Sequence, residues 1–197
     1  MQYLNQMGYP HIRYIHGTTL ENFPKKYHNV GTSGCGLCSA CMMVDRLTTQ
    51  TLTIEEAVRL SEENGANIIA GTRMTILGPV LAEKYNLTFE STKSTEKLVD
   101  CLQKGGCAII NVGGSHDDYV GVFSKGGHYI FGLSTDGENI CILDPSWTSS
   151  KMHIPEREGK VLEDPPFLYC SLKVLEEDTQ NRETPFYLFM RKKPEAE

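Results

Sequence analysis

Cys35 stands in the run Gly31-Thr32-Ser33-Gly34-Cys35-Gly36-Leu37-Cys38-Ser39-Ala40-Cys41-Met42-Met43, a glycine-rich loop that turns into a helix. The thiolate is the nucleophilic form of cysteine, and a helix N-terminus stabilises an anion through its free N–H groups and the macrodipole. Gly34 and Gly36 would leave the sulfur with little steric cover. A nucleophile of this kind needs a base, and the base needs a group to orient it. His128 fits the first role because it opens an apolar segment directly after Gly126-Gly127, where missing side chains allow another element to come close. Asp144 fits the second. A hairpin centred on Asp136 lies eight residues after His128 and eight before Asp144. A regular ladder would therefore place the two opposite each other, with Cβ atoms about 4.5–5.5 Å apart on one face. An imidazole at that distance can donate to a carboxylate, which fixes its tautomer and stabilises the imidazolium. A bulge would shift that register. The plain alternatives are a partly buried strand histidine and an Asp-Pro turn.

The elements that must position these residues follow from pattern. Helices are expected from Leu37 to about Leu47, and from the capping box Thr53-Ile54-Glu55-Glu56 to Asn64-Gly65. A third spans Thr75 to Tyr85, with Pro79 forcing a start near residue 78 or a kink. A fourth is capped by Ser94 and closed by Gly105-Gly106. The period then changes. Cys107–Val112, His128–Ser134, Asn139–Leu143 and Phe186–Met190 read as strands, with a short strand at Tyr119–Phe123 and a turn at Asp136-Gly137. Residues 1–34 read as irregular, and 151–185, with four prolines and many charges, give no assignable element. Helices first and a mostly antiparallel sheet afterwards make an α+β chain. The expected organisation is one domain over 1–197. It has a helical part at about 35–105, a sheet part at about 107–191, and the segment 1–34 packing at the cleft between them.

Composition narrows the function classes. The 197 residues are 40 % apolar and 22 % charged with a formal charge of −6, ordinary for a globular chain and contrary to a nucleic-acid footprint. Arg191-Lys192-Lys193 reads as a solvated tail. No apolar run reaches the length of a membrane span, and the N-terminus has no signal-peptide pattern. Seven cysteines in no even framework favour reduced thiols and a cytoplasmic location, the alternative being a secreted chain whose signal peptide has been removed. Cys35, Cys38 and Cys41 form C-x2-C-x2-C, part of an iron–sulfur pattern, but position 45 is Asp rather than Cys. Cys38 and Cys41 read more simply as core residues, so no metal or other cofactor is expected. Ser115-His116-Asp117-Asp118 reads as a polar loop, with a cation site or a substrate-contacting role as alternatives.

Gln6, the run Ser33-Gly34-Cys35-Gly36 with Ser39 and Met42, Gly127-His128-Tyr129 and Leu143-Asp144-Pro145 together resemble the papain-like cysteine peptidases. Within that superfamily they are most similar to the bacterial bacteriocin-processing-peptidase-like branch. The resemblance runs from Gln6 to Asp144 in the family's order of nucleophile, histidine and acid. It implies a papain-like fold, with the Cys on a central helix and the His and Asp on a sheet across a cleft. It also implies that Cys35 is the nucleophile, His128 the base and then the acid, and Asp144 the orienter, acting on a peptide or amide substrate through a thioester. The oxyanion would be held by the Cys35 N–H and a side-chain amide, for which Gln6 matches by its setting Tyr3-Leu4-Asn5-Gln6. In papain the glutamine lies only a few residues before the cysteine, whereas 28 residues separate Gln6 from Cys35, and Asn29 is nearer the papain-like position. Leu37-Cys38 also departs from the Pro-Thr common in the branch. An aromatic near the acid shields the His–acid bond in such sites, and Trp147 is placed to do so. The other classes open to the sequence are a non-catalytic peptide-binding domain of the same fold and a peptidoglycan amidase, transferase or deamidase.

Overall fold

Thr53, Ser94 and Ser171 each precede a helix, and each side-chain oxygen accepts a hydrogen bond at 3.2 Å from the N–H three residues on: Glu56, Lys97 and Val174. Such caps satisfy N–H groups that the helix itself leaves open and contribute about 1 kcal/mol each. In the computed structural model, which describes residues 1–14, 28–68 and 71–193, a 3-10 turn at Gln6–Gly8 is followed by six helices. These are α1 (Val30–Ser33), α2 (Cys35–Leu47), α3 (Ile54–Glu63), α4 (Met74–Lys84), α5 (Thr95–Gln103) and α6 (Leu172–Thr179). The strands are β1 (Asn67–Ile68), β2 (Gly71–Thr72), β3 (Leu87–Thr92), β4 (Cys107–Val112), β5 (His128–Thr135), β6 (Asn139–Leu143), β7 (Leu162–Asp164), β8 (Phe167–Ser171) and β9 (Phe186–Arg191). Strands β1 and β2 pair with each other, and the rest form one antiparallel sheet in the order β3-β9-β4-β5-β6-β8-β7. The part of the irregular N-terminal reading that covers 15–27 lies outside the described residues.

Both faces of this sheet are covered, and the alternation of side chains sorts the core in two. Ile109, Phe131, Leu143 and Phe189 join a cluster with α2, α3 and α4. Their neighbours Ile110, Ile130, Ile142 and Leu188 join a second cluster with Leu98, Cys101 and Leu102 of α5 and Leu175 of α6. Burial on both sides is why the inner strands read as continuous apolar runs rather than as alternating ones. Helix α2 lies almost wholly inside: Gly36 to Val44 and Leu47 are all buried. Cys38 and Cys41 are buried within that cluster, where burial raises their thiol pKa values. They are packing residues.

Several sequence expectations need correction. Helix α4 covers Met74–Lys84, close to the expected Thr75–Tyr85, and runs through Pro79 rather than being held to a start near residue 78. Tyr119–Phe123 is not a strand, because the N–H groups of Val122 and Phe123 donate to the Asp178 carboxylate at 2.6 and 3.3 Å instead of to a ladder. The unassigned stretch 151–185 holds β7, β8 and α6. Arg191, Lys192 and Lys193 are exposed as expected, but Arg191 still ends β9 and donates through Nε to Leu47 O at 2.7 Å, a cation on the C-terminal carbonyls of α2.

Asp178 binds the loop after β4 to α6, since it also accepts from the Tyr119 hydroxyl at 3.0 Å. Asp178→Ala would leave those buried donors unsatisfied. We expect a loss of about 3 kcal/mol or more, read as a lower urea midpoint. An unchanged midpoint would show that the loop is held by other contacts.

Candidate active site

Local sterics set the position of Cys35. A Cβ on Gly34 would fall 2.3 Å from Val30 Cγ1 and 2.6 Å from Val30 O, so glycine alone lets α1 turn directly into α2. A Cβ on Gly36 would lie 3.0 Å from Thr72 Cβ and 3.1 Å from Tyr129 Cδ2. Gly36 therefore does not uncover the sulfur, as its lack of a side chain would suggest. It lets β2 and the ring of Tyr129 close on the start of α2. Cys35 is half-buried at the first position of that helix, and its Sγ accepts from the Tyr129 N–H at 3.4 Å.

His128 begins β5 and is buried, and its Nε2 lies 2.7 Å from Oδ1 of the fully buried Asp144. The bond to Asp144 occupies Nε2 and leaves the other ring nitrogen for Cys35, whose thiol interacts electrostatically with His128. The register that brings His and Asp together is not the regular one. Thr135 pairs with Ile140 and Ser134 with Cys141; after the bulge, Gly132 pairs with Ile142 and Phe131 with Leu143. One step further, Ile130 rather than His128 would face Asp144. The hairpin loop is centred later than Asp136, and the bulge recovers one residue of that offset. The net slip is two, an even number, so His128 and Asp144 stay on one face as diagonal neighbours.

The charges are mutually dependent. Burial raises the Cys35 thiol pKa, but the His128 charge and hydrogen bond, with the N–H groups of Tyr129 and Gly36, outweigh it and leave the pKa lowered. Burial lowers the pKa of His128, but Asp144 and Cys35 outweigh it and raise the pKa to about 9. Asp144, whose burial would push its pKa up, is held well below the usual carboxylate range by His128 and Lys151. The arrangement favours thiolate and imidazolium together near neutral pH.

Gln6 is buried in the 3-10 turn, and its Nε2 donates to Gly31 O at 3.0 Å while Oε1 has no hydrogen-bond partner among the described residues. Its N–H donates to Pro145 O at 2.7 Å, so Gln6 joins the segment leading into Cys35 to the segment leaving Asp144. Asn29 stands immediately before α1 and makes no side-chain cap to it. Trp147 donates through Nε1 to Glu163 at 2.8 Å. The groups placed against the Asp144 carboxylate are Ser146 and Lys151. Neither was apparent in the sequence, because an ammonium seven residues after an acid carries no periodic or spacing signal. Ser146 N–H donates to Oδ1 at 2.8 Å, and Lys151 Nζ donates to Oδ2 at 2.5 Å. The His116 ring bonds to Gly114 O, and among the described residues no group of three or more His, Cys, Asp or Glu could hold a metal ion. Among the same residues no helix is long and apolar enough to cross a membrane.

The charge pairing has a stability consequence that is cleanest in Cys35→Ala, where the thiol does not titrate. The raised pKa of His128 means that Asp144 stabilises the fold fully below the unfolded imidazole value of about 6.5. That contribution is lost as the pH rises through the folded-state pKa of His128, which in this variant lies below the value of about 9 of the intact site because Cys35 no longer raises it. The urea midpoint of Cys35→Ala should therefore fall over this window, and adding Asp144→Asn should flatten the fall. Parallel curves would contradict the pairing.

No protein-family model matches the sequence, and no curated protein matches it. A solved structure described as a "putative C39-like peptidase" from Bacillus anthracis is similar with a TM-score of 0.54 and 13 % identity. The match covers 98 % of this chain and 100 % of that one. At that identity the likeness speaks to architecture. Together with helices that precede a large antiparallel sheet, it shows that this chain has the α+β, papain-like cysteine peptidase fold.

Proposed function

We propose that this chain is a thiol hydrolase of the cysteine-peptidase kind, cleaving a peptide or amide bond with Cys35, His128 and Asp144. The observation that carries the reading is the buried imidazole of His128, hydrogen-bonded to Asp144 through Nε2, while the N–H of the next residue, Tyr129, donates to the Cys35 sulfur. The Cys35 thiolate attacks the carbonyl carbon, and the negative charge moves to the carbonyl oxygen. The Cys35 main-chain N–H, at the start of α2, stabilises that oxyanion together with a side-chain amide. Gln6 is the amide we assign, with Asn29 as the alternative. The imidazolium of His128 passes its proton to the leaving nitrogen as the C–N bond breaks, which leaves a thioester on Cys35. Water then attacks the thioester while His128 takes its proton, and the acid product leaves with return of the thiolate.

We read the described helices and sheet as one catalytic unit spanning the chain, working in a reducing compartment where all seven cysteines stay free. Placement in the bacteriocin-processing-peptidase-like branch rests on the motifs around Cys35, His128 and Asp144. Double-glycine cleavage by transporter-linked members of that branch is not carried over.

The test is digestion of a peptide library with mass-spectrometric readout of new termini. Cys35→Ala should abolish cleavage, and His128→Ala should reduce it about 10²–10⁴-fold. Cleavage that persists in Cys35→Ala would overturn the proposal. Cleavage of peptidoglycan amides but not peptides would keep the thiol chemistry and change the substrate.

A further inference from the structure

Asp144 carries a second cation that a three-residue site does not need. Its Oδ1 takes His128 Nε2 at 2.7 Å, and its Oδ2 takes Lys151 Nζ at 2.5 Å. Lys151 Nζ also donates to Ser146 Oγ at 2.6 Å, and that hydroxyl lies 3.1 Å from His128 Nε2. The ammonium is therefore two short contacts from the imidazole, on the side away from Cys35. It is not a loose surface group, because the Lys151 side chain is only 12 % exposed. Its main-chain carbonyl accepts from Arg157 Nη1 at 2.8 Å, and Arg157, itself 5 % exposed, donates through Nε to Gly121 O at 2.9 Å. The fold thus spends a buried arginine on fixing the backbone of Lys151.

We infer that Lys151 is a positioning residue that acts through Asp144, holding the carboxylate in place and limiting how basic it makes His128. The inference rests on the thiol-hydrolase reading of Cys35, His128 and Asp144. A carboxylate that serves one imidazole alone in a buried site would hold the imidazolium proton tightly. An imidazolium that binds its proton too tightly is a poor acid toward the leaving nitrogen. Lys151 shares the Asp144 charge and repels the imidazolium, and so moves the proton affinity of His128 back toward the working range. The charged and titratable groups around this centre are few. Cys35 approaches His128 from α2, and Asp144 approaches it from the end of β6. Tyr3 donates its hydroxyl to the Asp144 main-chain oxygen at 2.6 Å, and Arg157 stands behind Lys151. Among the described residues, Lys151 is the only ammonium in an ion pair with Asp144.

The readout is the titration midpoint of the His128 Cε1–H signal by NMR in the whole chain, assigned by its loss in His128→Ala. The wild type should titrate near 9. Lys151→Met should move the midpoint upward by about one pKa unit or more, and Lys151→Arg, which keeps the charge, should stay with the wild type. Lys151→Gln serves as the neutral variant if Lys151→Met does not fold. An unchanged midpoint in the neutral variant overturns the inference. So does a downward shift, which would mean that Lys151 only props up the carboxylate. A wild-type midpoint at the ordinary imidazole value of about 6.5 would instead contradict the His128–Asp144 pairing itself.

Discussion

Burying an imidazole away from water disfavours its charged form, yet His128 is buried with a carboxylate against one nitrogen and a thiol against the other. The site depends on that desolvation being outweighed locally, because Asp144 is more deeply buried than His128. Each of its oxygens is met by a donor: His128 and the Ser146 N–H on Oδ1, and Lys151 on Oδ2. A buried carboxylate satisfied in this way stays ionised and keeps its partner protonated. The lowered thiol pKa of Cys35 follows from the same arrangement, since burial alone would have raised it. Loss of any one partner would leave a buried charge uncompensated, a change far larger than the loss of a surface ion pair.

This dependence explains where the rest of the chain spends its polar groups. The N-terminal segment reaches the acid through Tyr3 and Gln6, whose hydroxyl and N–H close on the carbonyls of Asp144 and Pro145. Residues 146–182 reach it through Lys151 and Arg157, and Arg157 in turn holds Gly121 of the loop before His128. Asp178 holds the same loop at Val122 and Phe123. The N-terminal segment, the loop before β5 and the turn after β6 converge on the ends of β5 and β6, where the catalytic candidates sit.

How much of this could be read from sequence depended on how each element is stabilised. Strands β4, β5, β6 and β9 are buried on both faces, so their apolar runs announced them. Helices α3 and α5 carried capping or breaker signals of their own, and α2 showed as an unbroken run of helix formers after its glycine-rich loop. Strand β3 was missed because Leu87-Thr88-Phe89-Glu90-Ser91-Thr92 is an edge strand, with Thr88, Glu90 and Ser91 exposed, and takes its order from pairing with β9. Strand β7 is another exposed edge, three residues long, and α6 has only eight residues behind its Ser171 cap. The His–Asp pairing was legible for an incomplete reason: the assumed register was off by two, but an even slip preserves the face. Lys151 and Ser146 were not legible, since they meet Asp144 through a turn that no local pattern encodes. The structure also corrected the role of Gly36, which admits Thr72 and Tyr129 rather than baring the thiol.

The central claim is that His128 holds Cys35 as a thiolate while the other six cysteines stay as buried thiols. The most direct test is the pH dependence of iodoacetamide labelling, with each cysteine resolved by peptide mapping of the intact chain. The account predicts selective labelling of Cys35 at pH values well below the ordinary thiol range, and loss of that selectivity in His128→Ala. Labelling spread evenly over all seven cysteines, or Cys35 labelling unchanged in His128→Ala, would contradict it.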